Sequence, residues 1–173
     1  MDVTERPVPR PTDQQRQRDL YSGKKKRHTL KNAILIDEDC RIVHLSETVK
    51  GTMADKKIAE SVGYELPADS AVLQDLGFQG FEVADVETLM PHKKPRGREL
   101  TPFEKAVNRI ISRSRVYVEH AISSIKRCRA VRDSLRLIRA EMSDMVMEIA
   151  CGLHNLRLRL YPWQKVPMPG EPW

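Results

Sequence analysis

The fold is set by the segment KRHTLKNAILIDEDCRIVHLS, which runs from Lys26 to Ser46. Its first half ends in the apolar run Ala33–Ile36, which is typical of a strand that enters a buried core. The acidic residues 37–39 predict a turn, and the apolar residues after them predict a second strand over 41–46. Because the connection is short and polar, we expect the two strands to form an antiparallel hairpin.

After the hairpin, the chain alternates between short helix and strand signals. Gly51 breaks the chain, and Thr52 is expected to cap a short helix over residues 54–62. Residues 71–73 are a short apolar run that predicts a buried strand, and Asp75 stands at its end. An acidic side chain is therefore expected where a strand opens into a loop.

Two long helices are expected in the last third of the chain. Thr101, with Pro102 next to it and Glu104 three residues on, is a capping box that predicts where the first helix begins. Its predicted buried face consists of Val107, Ile110, Ile111, Val118, Ile122 and Ile125. The second helix is expected over 134–160 and carries Leu137, Met145, Ile149, Leu153, Leu156 and Leu160. Strands followed by long helices predict an α/β fold.

The size and charge of the chain limit its class. Its 173 residues fit one domain, which we expect to consist of an extended leader over 1–20, a folded part over 21–161 and a Pro-rich flexible tail over 162–173. No apolar run approaches a membrane span, and three widely spaced cysteines do not indicate disulfides or a thiolate metal site. A net charge of +6 favours a polyanion, above all nucleic acid, as the partner.

Four carboxylates stand where stability alone would not place them, namely Asp2, Asp55, Asp75 and Glu119. Acids at strand ends and on a core helix can hold divalent ions for phosphodiester chemistry, because carboxylate oxygens suit Mg²⁺. Each acid also has a structural interpretation. A cap or solvated turn fits Asp2 and Asp55 better when each is taken alone, and a turn role suits Asp75 equally well.

Glu119 is the more specific signal, because it does not stand alone on its helix. At 100° per residue, Arg115, Glu119 and Lys126 fall on one helix face, together with Ile122. A surface ladder of ion pairs would explain this pattern. A metal-binding acid between two cations that reach phosphate explains it equally well, since the flanking apolar residues place the face at the margin of the core.

Five motifs follow one another along residues 2–126. They are DVTERP at 2–7, YSGKKKRHT at 21–29, GTxxD at 51–55, DxGFxG at 75–80, and Arg115-x3-Glu119-x6-Lys126. In this order they resemble the DDE-superfamily transposases of bacterial insertion sequences, which are related to the Harbinger-type nucleases. The sequence His154-Asn155-Leu156 is similar to the closing helix of that family.

The resemblance implies an RNase H-like fold, a mixed sheet flanked by helices. It implies that Asp2, Asp75 and Glu119 bind two Mg²⁺ or Mn²⁺ ions, while water cuts a DNA strand whose 3′-hydroxyl is then joined to a target. Asp55 would be a fourth metal-associated acid. The implied DNA contacts are Lys24, Lys25, Lys26, Arg27, Arg115 and Lys126. The implied partners are the terminal inverted repeats of the element, target DNA and a second copy of the chain, in the bacterial cytosol or nucleoid.

Two departures from the family pattern matter. Ser112 stands where the family usually has Tyr, and Asp2 is the second residue although the first acid normally ends the central first strand. We therefore expect that strand to be missing. Two other hypotheses stay open: a catalytically inactive DNA-binding remnant of a transposase, and a basic structural protein in which Asp75 and Glu119 lie far apart.

Overall fold

The computed structural model describes residues 1–134 and 140–163. Its centre is the ten-residue strand β3 (Arg27–Ile36), as the apolar run in the sequence predicts. Four strands pair antiparallel with β3: β1 (Asp2–Pro7), β2 (Tyr21–Ser22), β4 (Ile42–Leu45) and β5 (Val49–Lys50). The predicted hairpin is the β3–β4 pair.

A second, smaller sheet follows. It consists of β6 (Ala71–Leu73) and β7 (Glu87–Leu89), which are parallel. The two sheets meet at the start of β1, where the Met1 nitrogen donates a hydrogen bond of 2.8 Å to the carbonyl oxygen of Leu73. This junction brings the first residues of β1 next to the end of β6.

Helices flank the sheets. They are α1 (Gln14–Leu20), α2 (Asp55–Glu60), α3 (Pro102–Ile125), α4 (Arg129–Arg132) and α5 (Ala140–Leu160). Helix α3 begins with the predicted capping box, in which Thr101 and Glu104 each accept a hydrogen bond from the other's backbone. The expected α/β class is confirmed, and sheets with flanking helices are consistent with an RNase H-like fold. The expected mixed sheet is instead divided into an antiparallel five-stranded sheet and a separate parallel pair of strands.

The core lies on both faces of the larger sheet, because neighbouring residues of a strand point to opposite sides. Leu35 packs with Val72, Phe78 and their neighbours on one face. Ile34 packs with Ile125, Met147 and their neighbours on the other. One strand therefore anchors the loop after β6 on one side and the two long helices on the other.

The structure differs from the sequence prediction near the N-terminus. Residues 1–20, expected as an extended leader, contain β1 and α1, and Leu20 is buried. Asp2 begins a paired strand, although the resemblance placed the first acid at the end of one. Thr52 does not cap α2, whose N-cap is Ala54; its hydroxyl donates to the Asp19 carbonyl at 2.8 Å instead. The domain limits themselves stay a prediction.

The long helices also correct the expected apolar faces. On α3, Ile111, Val118 and Ile125 are buried, whereas Ile110 is 51% exposed. The second helix is described only from Ala140, so Leu137 lies outside the described residues. The core-facing side of α5 consists of Ser143, Met147, Ala150, Cys151 and His154, and the leucine-rich stripe faces outward. No helix in the described ranges is long and apolar enough to cross a membrane.

Candidate active site

Asp2 and Asp75 come together at the junction of the two sheets. Asp2 is the first residue of β1, and Asp75 lies two residues after the end of β6. The hydrogen bond from Met1 to Leu73 fixes this approach. The two carboxylates are close enough for the charge of Asp75 to raise the pKa of Asp2. Two acids that are 73 positions apart in the sequence therefore share one site.

The carboxylate of Asp2 is half-buried, and burial disfavours its negative charge. Its Oδ1 accepts a hydrogen bond of 2.7 Å from the backbone of Val3, the next residue. Burial raises the pKa of Asp2, and the negative charge of Asp75 adds to the rise, while the Val3 N–H, Arg115 and the Met1 ammonium oppose it. A carboxylate whose ionised form is disfavoured in this way gains from any cation that binds beside it.

Asp75 has two roles in the structure. Its Oδ1 accepts the backbone N–H of Leu76 at 2.6 Å and so caps a short 3₁₀ turn over Leu76–Phe78. Its Oδ2 accepts a hydrogen bond of 3.0 Å from Nη2 of Arg115 on α3. The turn role that the sequence left open is present, and it leaves the carboxylate pointing toward the long helix.

Glu119 is exposed on α3, one turn beyond Arg115. Nowhere in residues 1–134 and 140–163 do three His, Cys, Asp or Glu side chains form a group that could hold a metal ion. The structure thus brings Asp2 and Asp75 together and does not add Glu119 to them as a ligand cluster.

Lys126 connects the same helix face to Asp2. It follows the last residue of α3 and is half-buried, and burial lowers its pKa, as does the charge of Lys25, while Glu5 and Asp2 oppose the change. The charge of Arg115 opposes the rise in the pKa of Asp2, and the charge of Asp2 opposes the fall in the pKa of Lys126. On a helical wheel, Glu119 lies within about 40° of both cations, so the helix face that carries it is the face turned toward the acid pair.

Asp55 belongs to a separate cluster. Lys31 Nζ donates to Asp55 Oδ1 at 3.0 Å and to the Met53 carbonyl at 2.9 Å, and it lies 4.0 Å from Glu5 Oε1. Asp55 also borders the loop after Asp75, because a Cβ on Gly77 would lie 3.4 Å from Asp55 Oδ2. Lys31 already neutralises Asp55, so the fourth acid differs in its surroundings from Asp2.

Sequence reasoning missed Glu5 and Lys31. These two residues face each other in the β1–β3 register. A carboxylate and an ammonium at partnered positions of two strands are a detectable signal once the register is known. They line an open cleft of about 370 Å³ together with Lys24, Tyr21 and Asp55. The predicted basic run Lys24–Arg27 is exposed and begins at the margin of this cleft.

Arg6, four residues after Asp2 on β1, was also missed. Its guanidinium is buried and donates to the Ser143 carbonyl at 2.9 Å, to Asn32 Oδ1 at 3.0 Å and to Thr48 Oγ1 at 2.8 Å. Burial lowers the pKa of Arg6 to about 10, an effect that the charges of Asp144 and Cys151 oppose. This arginine ties the strand that carries Asp2 to β3 and α5.

The protein is of the α/β, RNase H-like class. Helices flank its two sheets, acids lie just after β6 and at the start of β1, and cations lie on a long helix beside them. Residues 1–155 match the family described as DDE superfamily endonuclease, and the chain belongs to this family.

A curated relative gives the comparison more detail. A protein from Microchaete diplosiphon, described as a probable transposase for insertion sequence element IS702, is 29% identical over 160 residues. The alignment covers 92% of this chain and 57% of that protein, so the chain spans little more than half of the relative's length. No solved structure matches the chain significantly.

Proposed function

We propose that the chain is the catalytic part of a DNA transposase, which cuts DNA at the ends of an insertion sequence and joins it to a target. The observation that carries the proposal is the approach of Asp2 and Asp75 beside the cationic face of α3. Membership in the DDE endonuclease family supports the reaction class, and the likeness to a probable transposase supports the substrate.

The acid pair fits a divalent cation. The two carboxylates offer hard oxygen ligands, and burial disfavours the negative charge of Asp2. Asp75 already pairs with Arg115, so a cation there would compete with that contact. Asp2 and Asp75 would hold the ion, and Glu119 would complete the site from α3. When bound, one or two Mg²⁺ or Mn²⁺ ions supply Lewis-acid stabilisation of the scissile phosphate and a more acidic water.

The chain's own cations position the acids and the DNA. Arg115 orients Asp75 through its hydrogen bond, and it carries positive charge to the edge of the site. Lys126, half-buried near Asp2 and Glu5, adds positive charge to the site from the end of α3. The exposed basic run Lys24–Arg27 would contact the DNA backbone, where phosphate charge attracts it whatever the sequence.

A nicking assay on duplex DNA carrying the element ends tests the proposal. With Mg²⁺ present, the unmodified chain should cut, and Glu119→Gln should reduce the rate by about a thousandfold or more. Glu141→Gln is the matched control, because Glu141 is an exposed glutamate on α5. Cutting that persists in Glu119→Gln, or in EDTA, would refute the assigned chemistry.

The second candidate is an inactive DNA-binding remnant, which the lack of a three-residue ligand group in the described ranges favours. Under this hypothesis the chain binds DNA and cuts neither with Mg²⁺ nor with Mn²⁺. Binding is measured separately, with the four residues of Lys24–Arg27 replaced by Ala. That variant should lose affinity and show a shallower salt dependence, because each lost phosphate contact releases one counterion fewer.

A further inference from the structure

Helix α5 has a second apolar face. Met145, Ile149, Leu153, Leu156 and Leu160 are each 50% to 65% exposed. At 100° per residue they fall within about 80° of one another, and this outer stripe lies about 150° from the centre of the face that meets the core. A single exposed leucine needs no explanation, but a continuous stripe over four turns does.

The spacing of the outer stripe is that of a helix pair. Successive members are four, four, three and four residues apart, which over most of the helix is the alternation found in coiled-coil seams. Such a seam fits another helix better than it fits DNA or a flat surface. The partner helix must present the same kind of stripe.

The charges beside the outer stripe indicate which helix that is. Glu148 and Arg159 are exposed and lie on the same flank of the stripe, about equally far from Leu153 on either side. If a second α5 packs antiparallel across Leu153, Glu148 of each copy faces Arg159 of the other. Ile149 then meets Leu156, and Met145 meets Leu160. The helix is complementary to itself in charge and in apolar pattern.

Gly152 supports a close approach on the same flank. A Cβ at this position would meet no atom within 4 Å, so packing inside the chain does not require a glycine there. Glycine costs about 1 kcal/mol in a helix interior compared with alanine. Its absence of a side chain beside Leu153 lets a second helix come near at the centre of the stripe.

We propose that the chain forms a two-fold dimer in which the outer stripes of two α5 helices pack antiparallel, with Glu148–Arg159 pairs across the interface. The proposal goes beyond the DNA chemistry and gives the homodimer expected from the resemblance a defined surface. DNA is a poor occupant of this surface, because the stripe is apolar. The dimer also places two acid sites in one assembly.

Sedimentation equilibrium of the full chain, without DNA or metal, tests the dimer. The unmodified chain should be dimeric at micromolar concentrations, and Leu153→Glu should be monomeric with an unchanged circular dichroism spectrum. Ile110→Glu is the matched control: Ile110 is a 51% exposed apolar residue on α3, and its replacement should leave the dimer intact. A chain that is monomeric at about 100 µM overturns the proposal, whether the stripe is empty or covered by the chain itself.

Charge exchange tests the orientation. Glu148→Arg places like charges together and should raise the dimer dissociation constant about tenfold, and adding Arg159→Glu should restore it to within about threefold. In a parallel dimer the two positions lie about 16 Å apart, so no restoration occurs and the antiparallel proposal fails. Because DNA and metal are absent, a monomeric result leaves the proposed nuclease activity untouched, and loss of cutting in Glu119→Gln leaves the dimer untouched.

Discussion

Asp2 and Arg6 lie four residues apart on the same face of β1, and the protein treats their charges in opposite ways. Arg6 donates hydrogen bonds to acceptors in three other segments of the chain, namely Asn32, Thr48 and Ser143. Asp2 receives a hydrogen bond from its own neighbour, Val3. A buried charge with partners supplied by the fold holds the fold together. The half-buried carboxylate of Asp2 has no comparable network in the described part of the chain, and a bound cation would stabilise its negative charge.

The surroundings of Arg6 explain why its guanidinium stays ionised although it is buried. Burial lowers the pKa of Arg6 only to about 10, so the guanidinium is ionised at neutral pH. Taking a charge out of water is costly, and removing one partner of a buried, hydrogen-bonded charge costs more than the interaction itself contributes. In Arg6 the two terminal nitrogens have partners, whereas Nε has none within residues 1–134 and 140–163. Arg6 therefore acts as a connection between β1 and α5 that the fold cannot easily lose.

Replacing Arg6 is expected to have the largest effect on stability. Arg6→Met removes the side-chain donor to the Ser143 carbonyl and leaves Asn32 Oδ1 with only the 3.4 Å hydrogen bond from Thr48, so the free energy of unfolding should fall by about 3 kcal/mol. Urea unfolding followed by circular dichroism measures the loss. Arg10→Met is the matched control, since Arg10 is exposed and its substitution should change the free energy by less than about 0.5 kcal/mol. Equal losses in both variants would remove the contrast between buried and exposed arginines.

The features that depend on residues close together in the chain could be predicted from the sequence. The β3–β4 hairpin and the Thr101 capping box are local patterns, and both were predicted where they occur. The acid at the end of β6 was predicted from a run of three apolar residues. Asp2 and Asp75 were singled out by their positions in the sequence, and the resemblance then implied their roles. Their approach depends on a junction that no local pattern contains.

Three other features could not be predicted from the sequence, namely β1, the Arg6 network and the core-facing side of α5, and each for a physical reason. β1 carries Arg6 and Pro7 among its six residues, so its apolar alternation is weak. The Arg6 network spans 137 positions and has no sequence period. Apart from Met147, the core-facing side of α5 uses small and polar residues such as Ser143 and Ala150, while five larger apolar residues face outward. The strongest apolar stripe of a helix therefore does not identify the side that packs against its own chain.

Arg115 is intermediate between Arg6 and Asp2 in how far the fold supplies partners for its charge. It is half-buried, its Nη2 pairs with Asp75 Oδ2 at 3.0 Å, and its Nε, like that of Arg6, has no hydrogen-bond partner among the described residues. Arg115→Gln should lower the free energy of unfolding by about 1 kcal/mol and raise the pKa of Asp2 further, because one opposing positive charge is lost. Carboxyl ¹³C NMR titration follows Asp2. Arg113→Gln, at an exposed position of the same helix, should change neither quantity. A pKa of Asp2 unchanged by Arg115→Gln would contradict the assignment of both residues to one site.

Asp2→Asn is expected to have the smallest effect and the opposite sign. The Asn side chain keeps the acceptor for the Val3 N–H and removes the charge that burial disfavours. Because the folded protein raises the pKa of Asp2, the free energy of unfolding is highest below the usual aspartate pKa and falls as the pH rises through the higher pKa of the folded state. The variant should therefore melt about 2 °C higher at pH 7 in EDTA.

The gain should disappear as the pH falls below the usual aspartate range, since Asp2 is then protonated in the folded and the unfolded chain and resembles Asn. Asp69→Asn, at an exposed position, should show no such pH dependence. Cutting should be lost in Asp2→Asn although the fold is more stable, a combination expected of a residue kept for its chemistry and not for its contribution to the fold. An Asp2→Asn variant that melts lower than the unmodified chain at pH 7 would mean that Asp2, like Arg6, is held by the fold.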